Sequence, residues 1–476
     1  MAYTEFFCHT TGSNLNGGGL ASGADPTDAA AYTSTNGNWN GTSIFTPGDG
    51  STPASTVNVG DFASVYNDGA SAPAVYIARV TNVAAGVNGA ITLSTTAASG
   101  TAPTSSATAR TIKVGGAWQG PNGTVAFPFG FITNVLQDSG GDIARVNFKS
   151  GSNYAITAAM THSLSGAVIW QGYTTTAGDG GKAVIDGGTV GASFLMLNVS
   201  GINHTLKDLI FQNNGASASA TGLRLGGTGT GAVRVVVHAV RGHGFDLAGA
   251  PCYLEECEAY GCNQAGSVNV AGITVSNIGF LDRCLAHDNS GSGNAHGFYL
   301  GGGSQAVDCI ADTNGLHGFF GNTGGGCVLL IRCTAYNNTG DGARMTSTTG
   351  VVENCILQGN AWGINNTSSS TLILSVNNAF RSNSSGQTTG KLDVSGSITL
   401  SADPMNDPAN GDFSLNSTAG GGAACRNAGR GLWAQTDTNY TKTTTAYSDV
   451  GAVQHQDAGG STSILVGVGW GGGFRG

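Results

Sequence analysis

Two columns of residues recur along the chain with one drifting period, and this repeat limits the fold more than any other feature. Glu256-Cys257-Glu258-Ala259 is followed by Arg283-Cys284-Leu285-Ala286, Asp308-Cys309-Ile310-Ala311, Arg332-Cys333-Thr334-Ala335 and Asn354-Cys355-Ile356-Leu357. The Cys spacings are 27, 25, 24 and 22. Five residues after the last four cysteines stand Asn289, Asn314, Asn338 and Asn360. The second column sets Gly before an apolar residue or Ala, at Gly222, Gly244, Gly272, Gly297, Gly318, Gly342 and Gly363. Two independent columns with a common period mark a solenoid, in which each repeat buries its apolar side on its neighbours.

The content of the repeat selects the solenoid type. Helical repeats need Leu/Ala-rich helices and leucine-rich repeats need a Leu ladder, and neither is present. Runs such as Val328-Leu329-Leu330-Ile331-Arg332-Cys333 read instead as short strands. Glycine supplies 79 of 476 residues and charged residues only 10%, against about 25% charged in ordinary domains. Short strands and tight turns, stacked at about 4.8 Å per coil, follow. The Cys column is expected to point inward as a small hydrophobe. The Asn column is expected at a turn with left-handed backbone, and the Gly column at another tight corner.

Four segments then resemble the right-handed parallel β-helix proteins, the pectate-lyase-like superfamily. Val168 to Tyr173 with Ala183 to Gly188 looks like an early coil, and Leu206 to Gly215 like a middle coil. Asp403 to Leu415 resembles a last coil, and Asp449-Val450-Gly451-Ala452 a closing motif. The resemblance implies an all-β fold, a right-handed parallel β-helix solenoid with a small N-terminal β module. It says little of activity, because that superfamily holds lyases, hydrolases, epimerases, phage tailspikes and non-catalytic surface proteins. The expected organisation is a strand and Gly-rich cap over 1–53, a β module over 54–115, the β-helix over 116–455 and a Gly-rich tail over 456–476.

The net charge of −9 and the scattered cations argue against nucleic acid, which needs clustered Lys and Arg. No stretch approaches 18 apolar residues, so no membrane span is expected. The first residues have neither a basic start nor a long apolar run, which predicts manufacture in a cytoplasm without a secretory signal. The ten cysteines lack zinc-like spacing and are expected as free buried thiols.

Candidate chemistry falls on the 288–362 rungs. The residue before the Gly column is His243, Ala271, His296, His317, Asp341 and Trp362 in turn. His296, His317 and Asp341, with Asp288 and Asp312, are the candidates for acid–base work, since His titrates near neutral pH. A plain turn-flanking ladder accounts for the same pattern. Glu256, Asp308 and Asn354 alternate with Arg283 and Arg332 before the Cys column, which reads as an ion-pair ladder worth little per pair. Tyr299, Phe320 and Trp362 are candidates for stacking on sugar rings.

No metal ligand set is recognised and no cofactor is expected, save Ca²⁺ if the chain is a lyase. The favoured reading is a structural or adhesive virion surface protein, a phage spike, fibre or decoration subunit. Its expected partners are itself, as a homotrimer, other particle proteins, and a polysaccharide; deleting the Gly-rich tail is expected to weaken assembly and leave the β-helix folded. The alternative is a polysaccharide lyase or glycosidase.

Overall fold

The computed structural model describes residues 3–67, 76–99, 107–122, 143–163, 166–216, 220–266, 270–290, 295–322, 326–426, 428–429 and 449–453. It divides into two compact units. One comprises 1–216 with 222–236, and the other 217–221 with 237–476. Both carry coils of a parallel β-solenoid, and helix is confined to short turns. The tail expected over 456–476 lies outside the described residues.

In the first unit, strand Tyr3–Cys8 pairs in parallel with Ile143–Lys149. That strand is followed by Val168–Tyr173, Thr205–Lys207 and Gly231–Val233. A β module stands between the first two strands. It is a closed antiparallel barrel of Tyr32–Trp39, Ile44–Thr46, Phe62–Asn67, Tyr76–Val83, Ile91–Ser99 and Ala107–Val114. Trp39, Phe45, Tyr76, Ile91 and Ile112 fill it. The module thus begins at Tyr32 rather than 54. Its opening strand is Tyr-Thr-Ser-Thr-Asn-Gly-Asn-Trp, whose polar residues hide its alternation.

In the second unit every coil contributes one short strand to each of three parallel sheets. The first sheet holds Cys252–Glu255, Gly279–Asp282, Gln305–Val307, Cys327–Ile331, Thr349–Glu353, Ile373–Val376 and Leu392–Ser395. The second holds Phe245–Leu247, Val270–Val275, Ala295–Leu300, Phe319–Gly321, Ala343–Met345, Trp362–Asn366 and Gly386–Gly390. The third includes Glu258–Tyr260, Leu285–His287, Ile310–Asp312, Thr334–Tyr336, Ile356–Gln358, Ala379–Arg381 and Ile398–Thr399.

The interior explains both sequence columns. Cys257, Cys284, Cys309, Cys333 and Cys355 are buried free thiols at the start of the third sheet. The asparagines form a ladder inside the coil. Asn289 Nδ2 donates to Asn314 Oδ1 at 2.9 Å, Asn314 Nδ2 to Asn338 Oδ1 at 2.9 Å, and Asn338 Nδ2 to Asn360 Oδ1 at 3.0 Å. Left-handed backbone falls one residue earlier than expected, at Asp288, Thr313 and Asn337 with φ of 51°, 51° and 52°. This leaves the ladder asparagines free to turn inward.

The Gly column is not a set of tight corners. A Cβ at Gly272 would lie 2.6 Å from Asn289 Nδ2, and one at Gly297 2.8 Å from Asn314 Nδ2. Glycine is needed there because a ladder amide packs against the bare backbone.

A second left-handed corner precedes the cysteines, at Glu256, Arg283, Asp308, Arg332 and Asn354. Their side chains pair along the stack. Arg332 grips Asp308 at 2.7 and 2.8 Å, and Arg283 Nε reaches Glu256 at 3.2 Å. The expected ion-pair ladder is therefore present in this unit.

The segment Asp403 to Leu415, expected as a last coil, is an antiparallel hairpin of Met405–Asp407 and Asp412–Leu415. Pro408–Asn410 makes a single 3₁₀ turn, and Gly411, at φ 86°, reverses the chain. Met405, Phe413, Leu415, Cys425, Val450 and Ala452 then cover Leu285, Ile310, Ile356 and Ala379 on the outer side of the third sheet. Gly451 N–H bonds Asn354 O at 2.8 Å, and Ala452 N–H bonds Thr334 Oγ1 at 3.0 Å.

Candidate functional site

The outward side of the second sheet in the second unit gathers most of the candidate residues. Strand alternation puts Phe298 and Phe319 inside, stacked at 4.8 Å, and turns their neighbours out. One outward column runs Thr274, Tyr299, Phe320, Arg344 and Asn365 by strand register. Beside it runs a column ahead of the Gly residues, with His296, His317, Asp341 and Trp362 on successive coils.

These columns interlock. The Phe320 ring lies parallel under His296 at 4.4 Å and is only 7% exposed. His317 sits 5.3 Å from His296 and 5.5 Å from Phe320. The expectation of an open Phe320 is thus corrected, because the two imidazoles cover it. Tyr299 stays half-buried, edge-on to Phe320 at 5.3 Å. Its hydroxyl accepts from Asn322 Nδ2 at 2.9 Å, and Asn322 Oδ1 accepts from Thr346 Oγ1 at 2.6 Å. Trp362 belongs to the Asp341 column rather than to the Tyr299 column. Gly386, the next residue in register, leaves room for its ring.

The electrostatics are those of neutral rings beside one guanidinium. Burial pushes His296 down to about 4, with Arg344 adding to the effect. His296 is 1% exposed, and among the described residues neither ring nitrogen has a hydrogen-bond partner. Burial, then His296 and Arg344, push His317 down to about 3. His317 Nδ1 accepts the Asp341 amide N–H at 2.8 Å, and its Nε2 lies 3.3 Å from Arg344 Nη1. Burial raises the Asp341 carboxyl, opposed by bonds from Asn365 Nδ2 at 2.9 Å and the Trp362 amide at 3.2 Å. Burial also lowers His243, whose Nδ1 lies 2.6 Å from Thr274 Oγ1.

Asp288 and Asp312 do not join this group. Asp312 lies in the third sheet, in register with His287, and Asp288 stands at the corner just after His287. His287 bonds Asp288 at 2.8 Å and Glu258 at 2.9 Å, and stacks on Tyr260 at 5.0 Å. Burial opposes its charge, but the two carboxylates outweigh burial and hold it up at about 9. The spacing of Asp312 and His317 conceals this split, because a turn between them carries the chain to another sheet.

Sequence reasoning also missed a polar cluster in the first unit. His9 lies 2.9 Å from Asp25, 2.5 Å from Asp28 and 2.9 Å from the Tyr173 hydroxyl, and Lys149 reaches Asp25 at 2.6 Å. No spacing announces it, since the partners come from distant segments. Among the described residues, no group of three or more His, Cys, Asp or Glu is arranged to hold a metal ion.

No family model matches the chain, and no curated protein does so. Solved structures similar to it include the A-module of a mannuronan C-5 epimerase from Azotobacter vinelandii. That match has 14% identity over 54% of this chain and 79% of that one, with a TM-score of 0.44. Pectate lyase Pel9A matches at 14% identity over 71% of this chain and 96% of that one, TM-score 0.40. A protein of Geobacillus virus E2 matches at 13% identity over 56% of each chain, TM-score 0.35. Likeness at this level carries no argument about activity.

Proposed function

We propose that the chain is a structural and adhesive β-helix of a particle surface, of the phage spike or fibre kind, and that it holds a polysaccharide along the outward side of the second sheet. The observation that carries the binding reading is the Tyr299 column. A half-buried ring, braced by Asn322 and Thr346, stands in line with Arg344 and Asn365, and half-buried Trp362 flanks them. Aromatic faces beside planar hydrogen-bonding groups suit sugar rings and their hydroxyls. Homotrimeric self-association and contact with other particle proteins belong to the same reading, and sedimentation of the purified chain tests the first.

The binding test is titration calorimetry against a panel of bacterial and plant oligosaccharides. Tyr299→Ala is expected to weaken the best binder at least tenfold, about 1.4 kcal/mol. A panel with no binder, or unchanged binding by Tyr299→Ala, sets this reading aside. A second reading, a polysaccharide lyase or glycosidase, rests on His317 and Asp341 flanking one guanidinium, Arg344 Nη1 lying 3.3 Å from His317 Nε2 and 3.8 Å from Asp341 Oδ2. Reducing ends or unsaturated products from the same panel, with and without Ca²⁺, would favour it. Loss of those products in His317→Gln and Asp341→Asn would assign them to this face.

A further inference from the structure

The three sheets of the second unit differ in what covers their outward sides. The third is roofed by the C-terminal hairpin and Val450–Ala452. The second bears the rings and polar groups described above. The first presents a mostly apolar column beside the Glu255 and Asp282 carboxylates that pair with Arg283. Tyr253, Phe280, Gln305, Leu329, Val351 and Leu374 form one outward column by register, which ends at Asp393 on the seventh strand. Ile278, Phe280, Leu372 and Leu374 are 39–48% exposed. Seven strands at about 4.8 Å give this face a length of roughly 29 Å. Apolar faces of this extent usually have an occupant.

We propose that the occupant is this chain's own residues 461–470, Ser-Thr-Ser-Ile-Leu-Val-Gly-Val-Gly-Trp, docked across the outward side of the first sheet. Three observations support it. The segment carries no charge, and its Ile464, Val466, Val468 and Trp470 alternate, so one side of an extended strand is apolar. The described chain reaches the edge of that face. Gly451 is bonded to Asn354, the corner residue between Thr349–Glu353 of the first sheet and Ile356–Gln358 of the third. Finally, the ten residues 454–463 span up to about 33 Å when extended, enough to bring Ile464 to any rung of the face. The inference is independent of glycan binding, which concerns another sheet.

The face carries its own reporter. Cys327 is the exposed member of the ten free cysteines and lies on this face two residues before Leu329. In full-length Val466→Cys protein, mild oxidation is expected to give an intramolecular disulfide between positions 327 and 466, read by non-reducing gel and peptide mass. The comparison is Val466→Cys with Cys327→Ser and Thr389→Cys, which moves the target thiol to the second sheet. Cross-linking at least tenfold faster at 327 than at 389 supports docking. Equal rates, no intramolecular product, or predominantly intermolecular dimers overturn it. A chain ending at residue 456 is expected to bind more of an apolar dye than the full chain, and unchanged dye binding counts against the proposal.

Discussion

The Asn and Gly columns make one device, and a double-mutant cycle at Asn289 and Gly272 tests it. Asn289 Oδ1 accepts the Cys262 amide at 3.0 Å, while its Nδ2 donates to Ala259 O at 3.1 Å and Asn314 Oδ1 at 2.9 Å. Asn289→Ala removes three buried bonds, each worth about 1 kcal/mol net, and strips the Cys262 N–H of that acceptor. The expected loss is about 3–4 kcal/mol. Gly272→Ala alone places a Cβ 2.6 Å from Asn289 Nδ2 and 3.2 Å from Ala259 Cβ, an overpacking that costs about 1–3 kcal/mol. In the double variant the amide is gone and the new methyl has room. The double variant's loss should therefore fall short of the sum of the two single losses by at least about 1 kcal/mol. Urea unfolding followed by circular dichroism, with the m-value checked for constancy, gives all four stabilities. A loss below about 1 kcal/mol for Asn289→Ala, or strict additivity, would refute the claim that the ladder amides dictate the glycines.

Other outcomes follow from the buried charges. Asp308→Ala leaves the Arg332 guanidinium without its bidentate carboxylate and is expected to cost about 3–5 kcal/mol in chemical unfolding, part of it recovered by adding Arg332→Gln. His287 is held up at about 9, above the ordinary value of about 6.5. Its contribution is full below pH 6.5 and is lost as pH rises through 9, so His287→Gln should flatten the fall in melting temperature between pH 6 and 10. His296 and His317 are pushed down to about 4 and 3. The unfolded chain takes up protons there that the folded chain refuses, so stability falls as pH drops from 6.5 toward 3. His296→Phe should shift the acid-unfolding midpoint downward.

The solenoid was legible because its cysteines recur where a coil needs a small inward residue, and that choice depends only on the residue's own size. The role of the glycines was not legible. The group that forbids a Cβ at Gly297 belongs to Asn314, which the fold rather than the spacing brings against it. The face shared by His296, His317 and Asp341 could be read from their common place before the Gly column. Its true cover could not, because alternation predicts that Phe320 points outward but not that His296 then folds down over it. Asp288 and Asp312 were misplaced for a similar reason. Linear closeness says nothing about which side of a corner a residue occupies.

The pairing of Tyr3–Cys8 with Ile143–Lys149 sets a timetable for the growing chain. About 140 residues must leave the ribosome before the first strand meets its neighbour, a wait of roughly 7–28 s at 5–20 residues per second. The barrel that fills the interval closes on itself, so it can fold while the opening strand waits. Its completion also shortens the loop that must be searched, because Phe6 stacks on Trp118 at 4.7 Å and packs on Phe62 of the barrel at 4.7 Å. Packing of Phe6 on Phe62 of the barrel would keep that apolar strand occupied during synthesis until the first coil is wound.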